Sequence, residues 1–411
     1  MVPARSFPAL TCDTRCDVTV LYFADTRFPI ERANGVQTMA TCVALAERGH
    51  TVRLVVRPDT AVPPRDPFDF YGHPVVPTMS VTAIPAPGYP RGRRARFLLA
   101  ASRLVATERD AIVFTRDLGL ASFLLQVPVL RRARVVYESH GLAPVVSAEL
   151  PKLLGQPSLA PSPAKLRRLD RRERRVWTHA RAYVTLTRAL ADELASRYGP
   201  RRDVFVVADG ATPPDASPVP RQHDATADTV AGYAGHLYPW KGVDVLLHAL
   251  ARTRDIRGLI VGGHPAEPDR ERIEGLASTL GITDRVTITG LVPPREVPAH
   301  LANATVLVLP NIASAISERY TSPLKLFEYL WLGCPIVASN LPAIREVLTD
   351  NETALLVPAG DPAALASALV RLASDAALSA RLGQAARALA PEFSWSRRAE
   401  RLEAALLSAA A

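Results

Sequence analysis

Two lysines stand out by their scarcity. The 411-residue chain carries 49 Lys and Arg together, yet only Lys152, Lys165, Lys241 and Lys325 are lysines. In "TVAGYAGHLYPWKG" (229–242) an apolar strand runs through a loop to Lys241 and a helix opening at Gly242. Such junctions lie at the carboxyl edge of a parallel sheet, where ligands bind, and an ammonium beside a helix N-terminus favours phosphate. The same residues also fit a solvated loop. In "YTSPLKLFEYLWLG" (320–333) Ser322 reads as a helix N-cap and Pro323 as the first helical residue. Free amides around Leu324, the Lys325 ammonium and the Glu328 carboxylate three residues on then share one helix end. That set matches a nucleoside diphosphate: donors and positive charge for phosphate oxygens, an acceptor for ribose hydroxyls. A plain i,i+3 ion pair between Lys325 and Glu328 is the competing reading.

The magnitudes favour a role for such cations. At an effective dielectric of ~20, an ammonium 4 Å from a unit charge interacts by about 4 kcal/mol before desolvation. A fraction of that from each of two lysines, with a helix end, is a substantial share of leaving-group stabilisation. The sequence shows no Asp-x-Asp pair and no His/carboxylate cluster suited to Mg²⁺ or Mn²⁺. The expected chemistry is metal-independent. His140, in "ESHG", ends a strand and can orient and polarise a substrate or simply satisfy loop hydrogen bonds. Arg116, in "FTRD", faces the cleft, to meet acceptor or phosphate or to pair with Asp117 or Glu138. His50 reads as a helix cap rather than a chemical group.

Elements that position these residues alternate along the chain. The runs 17–24, 51–56, 111–115, 134–139, 182–187 and 203–210 have strand character, with helical spacing at 35–50, 94–107 and 164–180. The stretch 211–228, rich in Pro, Ala, Asp and Thr, reads as a linker. A second series follows, with strands at 229–235, 258–263, 285–290, 304–310, 335–339 and 354–360 and helices around 242–252, 268–280, 294–302, 323–332, 342–348 and 361–389. The stretch 394–410 is a further amphipathic helix. Two open α/β sheets in tandem imply two Rossmann-like domains facing across a cleft: 1–210, a linker 211–228, and 229–390, with the helix of 391–411 returning to the first domain.

The formal charge of +9 suits an anionic ligand or surface. Cys12, Cys16, Cys42 and Cys334 form neither a zinc pattern nor a disulfide framework, and no apolar stretch approaches 18 residues. A cytoplasmic protein is expected. The basic run "RGRRAR" (91–96) and the helix 165–177 raise a second expectation, peripheral contact with anionic lipid at the inner membrane face. Against it, Leu166, Leu169, Val176 and Trp177 form a core-facing stripe, and the interleaved Asp170 and Glu173 argue against a nucleic-acid arm.

Taken together, the segments "NGVQTMATCVALAERGHTVRLVV", "IVFTRD", "VVYESHG", "AYVTLTRALADELASRYG…VVADG", "YAGHLYPWKGVDVLLHAL" and "SPLKLFEYLWLGCPIVASNLPAIREVL" are similar, in order and spacing, to the retaining glycosyltransferases of family four. That resemblance spans nearly the whole chain and implies the GT-B fold. It implies a nucleotide-sugar donor as co-substrate, no other cofactor and no metal, and a small-molecule, glycan or lipid-linked acceptor. Residue by residue, it implies that Lys241 and Lys325 bind the diphosphate with Ser322, Pro323 and Leu324, and that Glu328 holds the ribose. His140 would lie near the transferred sugar, Gly35 in the loop meeting the diphosphate, and Gly290 and Val292 along the base. His236 stands where the family usually has arginine, and Asp209 where it usually has asparagine. Eight positions before Glu328, where the family often has a sugar-binding glutamate, stands Tyr320, with Glu318 nearby as the other sugar or acceptor contact. The function implied is transfer of a sugar with retention, the donor being UDP by family frequency. Two rivals remain: a nucleotide-sugar epimerase of the same fold, and a non-catalytic polyanion- or membrane-binding protein.

Overall fold

The structure, a computed structural model, describes residues 17–85, 92–214, 229–265 and 267–411. Cys12, Cys16, Arg91 of the first basic run and most of the linker lie outside the described residues. Seven strands form the first sheet, β1 (Thr19–Arg27), β2 (Thr51–Arg57), β3 (Met79–Ala83), β4 (Ile112–Thr115), β5 (Arg134–Ser139), β6 (Ala182–Thr185) and β7 (Val204–Val206). Six form the second, β8 (Thr229–Ala234), β9 (Ile256–Val261), β10 (Val286–Ile288), β11 (Val306–Leu309), β12 (Ile336–Ser339) and β13 (Leu355–Val357). The orders are β3-β2-β1-β4-β5-β6-β7 and β10-β9-β8-β11-β12-β13. Every pairing is parallel.

Strand order reverses between β1 and β4 and again between β8 and β11, so each lobe has one switch point at its carboxyl edge. Both sheets are covered on both faces, which is why their strands read as continuous apolar runs rather than alternating ones. Leucine and valine from helices Val243–Leu250 and Pro362–Ser374 close one face of the second sheet. The helix Leu324–Leu332 closes the other through Leu326, Phe327, Tyr329 and Leu330.

The final helix, Trp395–Ala410, crosses back to the first lobe. Trp395, Ala399, Leu402, Ala405, Leu406 and Ala409 pack with Val20, Met39, Val43 and Val136 on one face of the first sheet. Their spacing of three and four is one helix face. The rim is tied by Glu403, whose carboxylate takes Arg48 Nε and faces His50 Nε2 at 3.1 Å. His50 therefore joins this helix to the sheet through its ring, while its backbone amide caps the helix Ala33–Glu47 by donating to Leu45 O at 3.3 Å.

Other elements differ from the sequence reading for identifiable reasons. The strand β3 is short and exposed at the sheet edge, and its flanking Pro and Gly hide it in the sequence. The run 361–389 is two helices, broken where Asp375 caps the second by accepting from Leu378 N. In the basic helix Pro163–His179 only the C-terminal half of the stripe, Val176 and Trp177, reaches the core with Glu173. Leu166 instead lines an open groove of about 670 Å³ against Pro144, Val145 and Ala148. Among the described residues no single helix is long and apolar enough to cross a membrane.

Leu402 is fully buried. Leu402→Ala should cost about 2–5 kcal/mol. Urea denaturation followed by tryptophan fluorescence should show the loss in the phase that reports the first lobe.

Candidate active site

The loop after β8 is shaped by groups that forbid side chains. A Cβ on Gly242, which sits at φ +75°, would stand 1.8 Å from the Pro310 carbonyl oxygen. A Cβ on Gly262 would stand 2.1 Å from Gly235 O. The ends of β8, β9 and β11 are thus drawn together at the switch point. Tyr233 OH donates to His236 O at 2.6 Å and Arg272 Nη2 to Leu237 O at 2.7 Å, holding the loop from both sides. Tyr329, on the helix Leu324–Leu332, accepts from Ala234 N at 2.8 Å and fixes that helix against β8.

These contacts bring Lys241 and Lys325 together. The Lys325 Nζ is buried with no hydrogen-bond partner, 3.7 Å above the centre of the Tyr233 ring. No ion pair to Glu328 forms, which removes the plain i,i+3 reading. Burial, and then the charge of Lys241, hold the Lys325 ammonium well below the usual amine range, with Glu328 opposing. Burial lowers Lys241 to about 8. Glu328 is pushed up by burial, offset by Lys325. Two cations and one carboxylate therefore face one another partly desolvated.

Beside them His236, Tyr238 and Trp240 form a ladder of three rings. Their centroids are 4.9 and 4.7 Å apart and the planes tilted by 3° and 17°. His236 Nδ1 lies 3.2 Å from Glu267, and burial nonetheless holds the imidazole below its ordinary value. His236 is a stacking group here, not a second cation. The cations near it are Arg32, from the first lobe, and Lys241; burial raises the neighbouring Tyr238 hydroxyl, with Arg32 opposing. The sequence reading missed Arg32; its only signal is its place at the N-cap of helix Ala33–Glu47.

Several other candidates have structural roles. Ser322 does not cap its helix, whose N-cap is Pro323; Ser322 Oγ accepts from Asp209 N at 2.9 Å, joining the lobes. Leu324 packs against the first lobe's core. A Cβ on Gly35 would lie 2.2 Å from Tyr71 Oη, so this glycine makes room for the tyrosine that pins Ile30. Gly290, at φ +77°, bridges to Gly262, and Val292 packs half-buried against the second lobe's core. Glu318 sits in the turn Ile316–Tyr320, its amide bonded to Ser314 O. Tyr320 is removed from the cleft. It is 2% exposed within the first lobe's core, touches the space beside Gly141, and its OH bonds Glu193 at 2.9 Å. An aromatic ring inserted across the lobes leaves no hydroxyl for a sugar. Asn311, buried at the end of β11 with Oδ1 unpartnered, is a polar group at the switch point that the sequence did not reveal.

In the first lobe Arg116 pairs with neither Asp117 nor Glu138. Arg116 Nη1 donates to Gln37 Oε1 at 2.8 Å and Nη2 to His140 Nδ1 at 3.0 Å. Asp117 is taken by Arg94 and by capping Leu120 N. His140 Nε2 lies 2.5 Å from Glu138 Oε1. Burial, with Arg116 adding to it, lowers His140 to about 4, so the ring is neutral near pH 7. Among the described residues no three His, Cys, Asp or Glu side chains gather as a metal-ligating set.

Comparison with known proteins bears on the family and the fold. Residues 34–210 match the family model of the glycosyl transferase 4-like domain, and residues 228–375 that of the glycosyl transferases group 1. A D-inositol 3-phosphate glycosyltransferase of Nocardia farcinica is 28% identical over 89% of this chain and 82% of its own. Another, of Corynebacterium efficiens, is 33% identical over 42% of this chain and 41% of its own. A phosphatidyl-myo-inositol mannosyltransferase of Mycobacterium leprae is 36% identical over 38% and 40%. The last two alignments thus span under half of those relatives' lengths. Among solved structures, sucrose-phosphate synthase of Thermosynechococcus elongatus superposes with a TM-score of 0.74 at 21% identity, covering 94% of this chain and 97% of that one. Anabaena HepE in complex with UDP-glucose gives 0.70 at 17%, covering 95% and 99%. Two sheets with two switch points, and two models that together match 34–210 and 228–375, place the chain in the family-four glycosyltransferases with the GT-B fold.

Proposed function

We propose that the protein moves a hexose-type sugar from a nucleoside diphosphate, UDP first among the candidates, to an acceptor held by the first lobe, with retention and without a metal ion. The observation that carries this reading is the pair of partly desolvated ammoniums, Lys241 and Lys325, at the switch point of the second sheet. A departing diphosphate gains negative charge, and cations already stripped of water respond to it strongly. The Lys325 ammonium has the Tyr233 ring face but no hydrogen-bond partner, so an anion is the group that completes it. Glu328, on the same helix, is the ribose acceptor.

Bonding in the first lobe supports front-side attack. The sugar's anomeric carbon loses its bond to the phosphate oxygen and gains one to the acceptor oxygen on the same face. The acceptor proton passes to a phosphate oxygen. His140 is neutral with both ring nitrogens engaged by Arg116 and Glu138, so it does not carry that proton; it stands beside the sugar as a fixed ring rather than as an acid or base. Names of the relatives make inositol and its phosphates the first acceptors to test.

Mass-spectrometric screening of nucleotide sugars with these acceptors should yield a glycoside, and NMR of its anomeric proton should show the donor's configuration. A donor epimerised without acceptor would overturn the reading. Lys241→Ala should lower kcat/KM by about 10²–10³-fold.

Binding should also depend on pH. An anion favours the charged amines, so Lys241 and Lys325 rise toward their ordinary values in the complex. Calorimetry of UDP at pH 8 in two buffers of different ionisation enthalpy should show net proton uptake. Affinity should fall as pH rises through about 8, where free Lys241 loses its proton. Affinity flat from about pH 7 to 9 would remove the lysines from the phosphate site.

Gly242→Ala should weaken UDP binding at least about tenfold, because the added methyl meets backbone that cannot yield.

A further inference from the structure

A guanidinium is buried behind the first-lobe site. Arg398 lies on the core face of the helix Trp395–Ala410, between Trp395 and Leu402, and is 1% exposed. Arg398 Nη2 pairs with Glu138 Oε2 at 2.5 Å. Its Nη1 donates to Val207 O at 3.0 Å and Ala208 O at 2.9 Å, and its Nε to Thr41 Oγ1 at 3.3 Å. Asp209 Oδ1 stands 3.8 Å from Nη1.

Glu138, itself fully buried, uses its other oxygen for Gln37 Nε2 at 2.7 Å and His140 Nε2 at 2.5 Å. With Arg116 bridging Gln37 and His140, four side chains close a ring. A guanidinium only donates, so His140 Nδ1 must accept from Arg116. The imidazole proton therefore sits on Nε2 and is donated to the Glu138 carboxylate. A protonated Glu138 carboxyl would offer its own hydrogen to Nε2 and so compete with Arg116 for the tautomer of the ring, a competition that the carboxylate removes.

We infer that Arg398 is a positioning residue that fixes the tautomer of His140 by holding Glu138 as a carboxylate. This rests on the sugar-side role of His140 given above. The groups facing Glu138 are Tyr22 on β1, Gln37 and Cys42 on the first helix, and Arg116 after β4. Tyr137 beside it, His140, Asp209 after β7 and Arg398 complete the set. Only Arg116 and Arg398 are cations, and Arg116 contacts Gln37 and His140 rather than the carboxylate. Burial raises Glu138, and the nearness of Arg398 is the largest influence that reverses it. Burial raises Asp209 to about 6, so it competes only weakly for the guanidinium at lower pH. The same guanidinium grips the carbonyls of the segment leading to the second lobe, so one residue ties that crossing to the histidine.

The test is ¹⁵N NMR of histidine-labelled full-length protein together with kinetics. In the unaltered protein His140 should appear as the Nε2–H tautomer. In Arg398→Met the tautomers should mix, and kcat should fall at least about tenfold while KM for the donor changes less than about twofold. The kcat profile should gain a rising limb between about pH 6 and 8, as the unpaired Glu138 becomes ionised only at higher pH. Arg398→Lys, which keeps the charge, should retain the tautomer. If Arg398→Met does not fold, Glu138→Gln is compared with Arg398→Lys: loss of the tautomer in the first and retention in the second upholds the inference. The same tautomer in a folded Arg398→Met, or in both of that pair, overturns it. A shifted tautomer with unchanged transfer upholds the positioning and overturns instead the role of His140 at the sugar.

Discussion

Keeping two ammonium groups close together and partly out of water is the constraint around which the second lobe is arranged. Like charges at short range repel, and burial disfavours each of them. The fold meets this with few groups: the face of Tyr233, the Glu328 carboxylate one turn on, and strand ends drawn so tightly together that only glycine fits at 242 and 262. Tyr233 and Tyr329 lend their rings to the core and their hydroxyls to the backbone that carries the lysines. The site's rigidity is thus the rigidity of the β8 end itself.

Contacts between the lobes are built from the same segments that carry the chemistry. The stretch from Thr321 to Lys325 joins, within five residues, the Asp209 contact at Ser322 and the buried ammonium. Just before it Tyr320 enters the first lobe, and Thr187 Oγ1 donates to Arg319 O. Glu346 accepts from the amides of Arg188 and Ala189 at 2.8 and 3.0 Å, closing the N-terminus of the helix Arg188–Tyr198 with a carboxylate from the other lobe. A rotation of one lobe on the other has to act on these contacts, and with them on the position of Lys325.

The sequence makes the alternation of strands and helices and both lysines legible, because each depends on local periodicity or on neighbours within a turn; the two switch points depend on strand order and come only with the structure. What it hides depends on distance along the chain. Glu138 and Arg398 are 260 positions apart, although an arginine on the apolar stripe of 395, 399 and 402 is a visible anomaly. Ser322 has every local mark of an N-cap, and a backbone amide from 113 residues earlier claims its oxygen. Tyr320 reads as a cleft residue until the first lobe's core is assembled around it. Arg116 has two acidic residues within reach in the sequence, but Arg94 and the helix start take one and Arg398 the other.

The return of the last helix to the first lobe inverts the order in which the molecule can be finished. During synthesis the strands of the first sheet leave the ribosome before those of the second, yet the part of one face not covered by the helix Ala33–Glu47 stays bare until Leu402 and Leu406 emerge. The second lobe closes around its sheet almost wholly with its own stretch of polypeptide, borrowing only Ala208, Ala211 and Phe393 from the two crossing segments. The half made first is therefore the half completed last, and it must keep a bare apolar surface from sticking to neighbours while the other half is being translated.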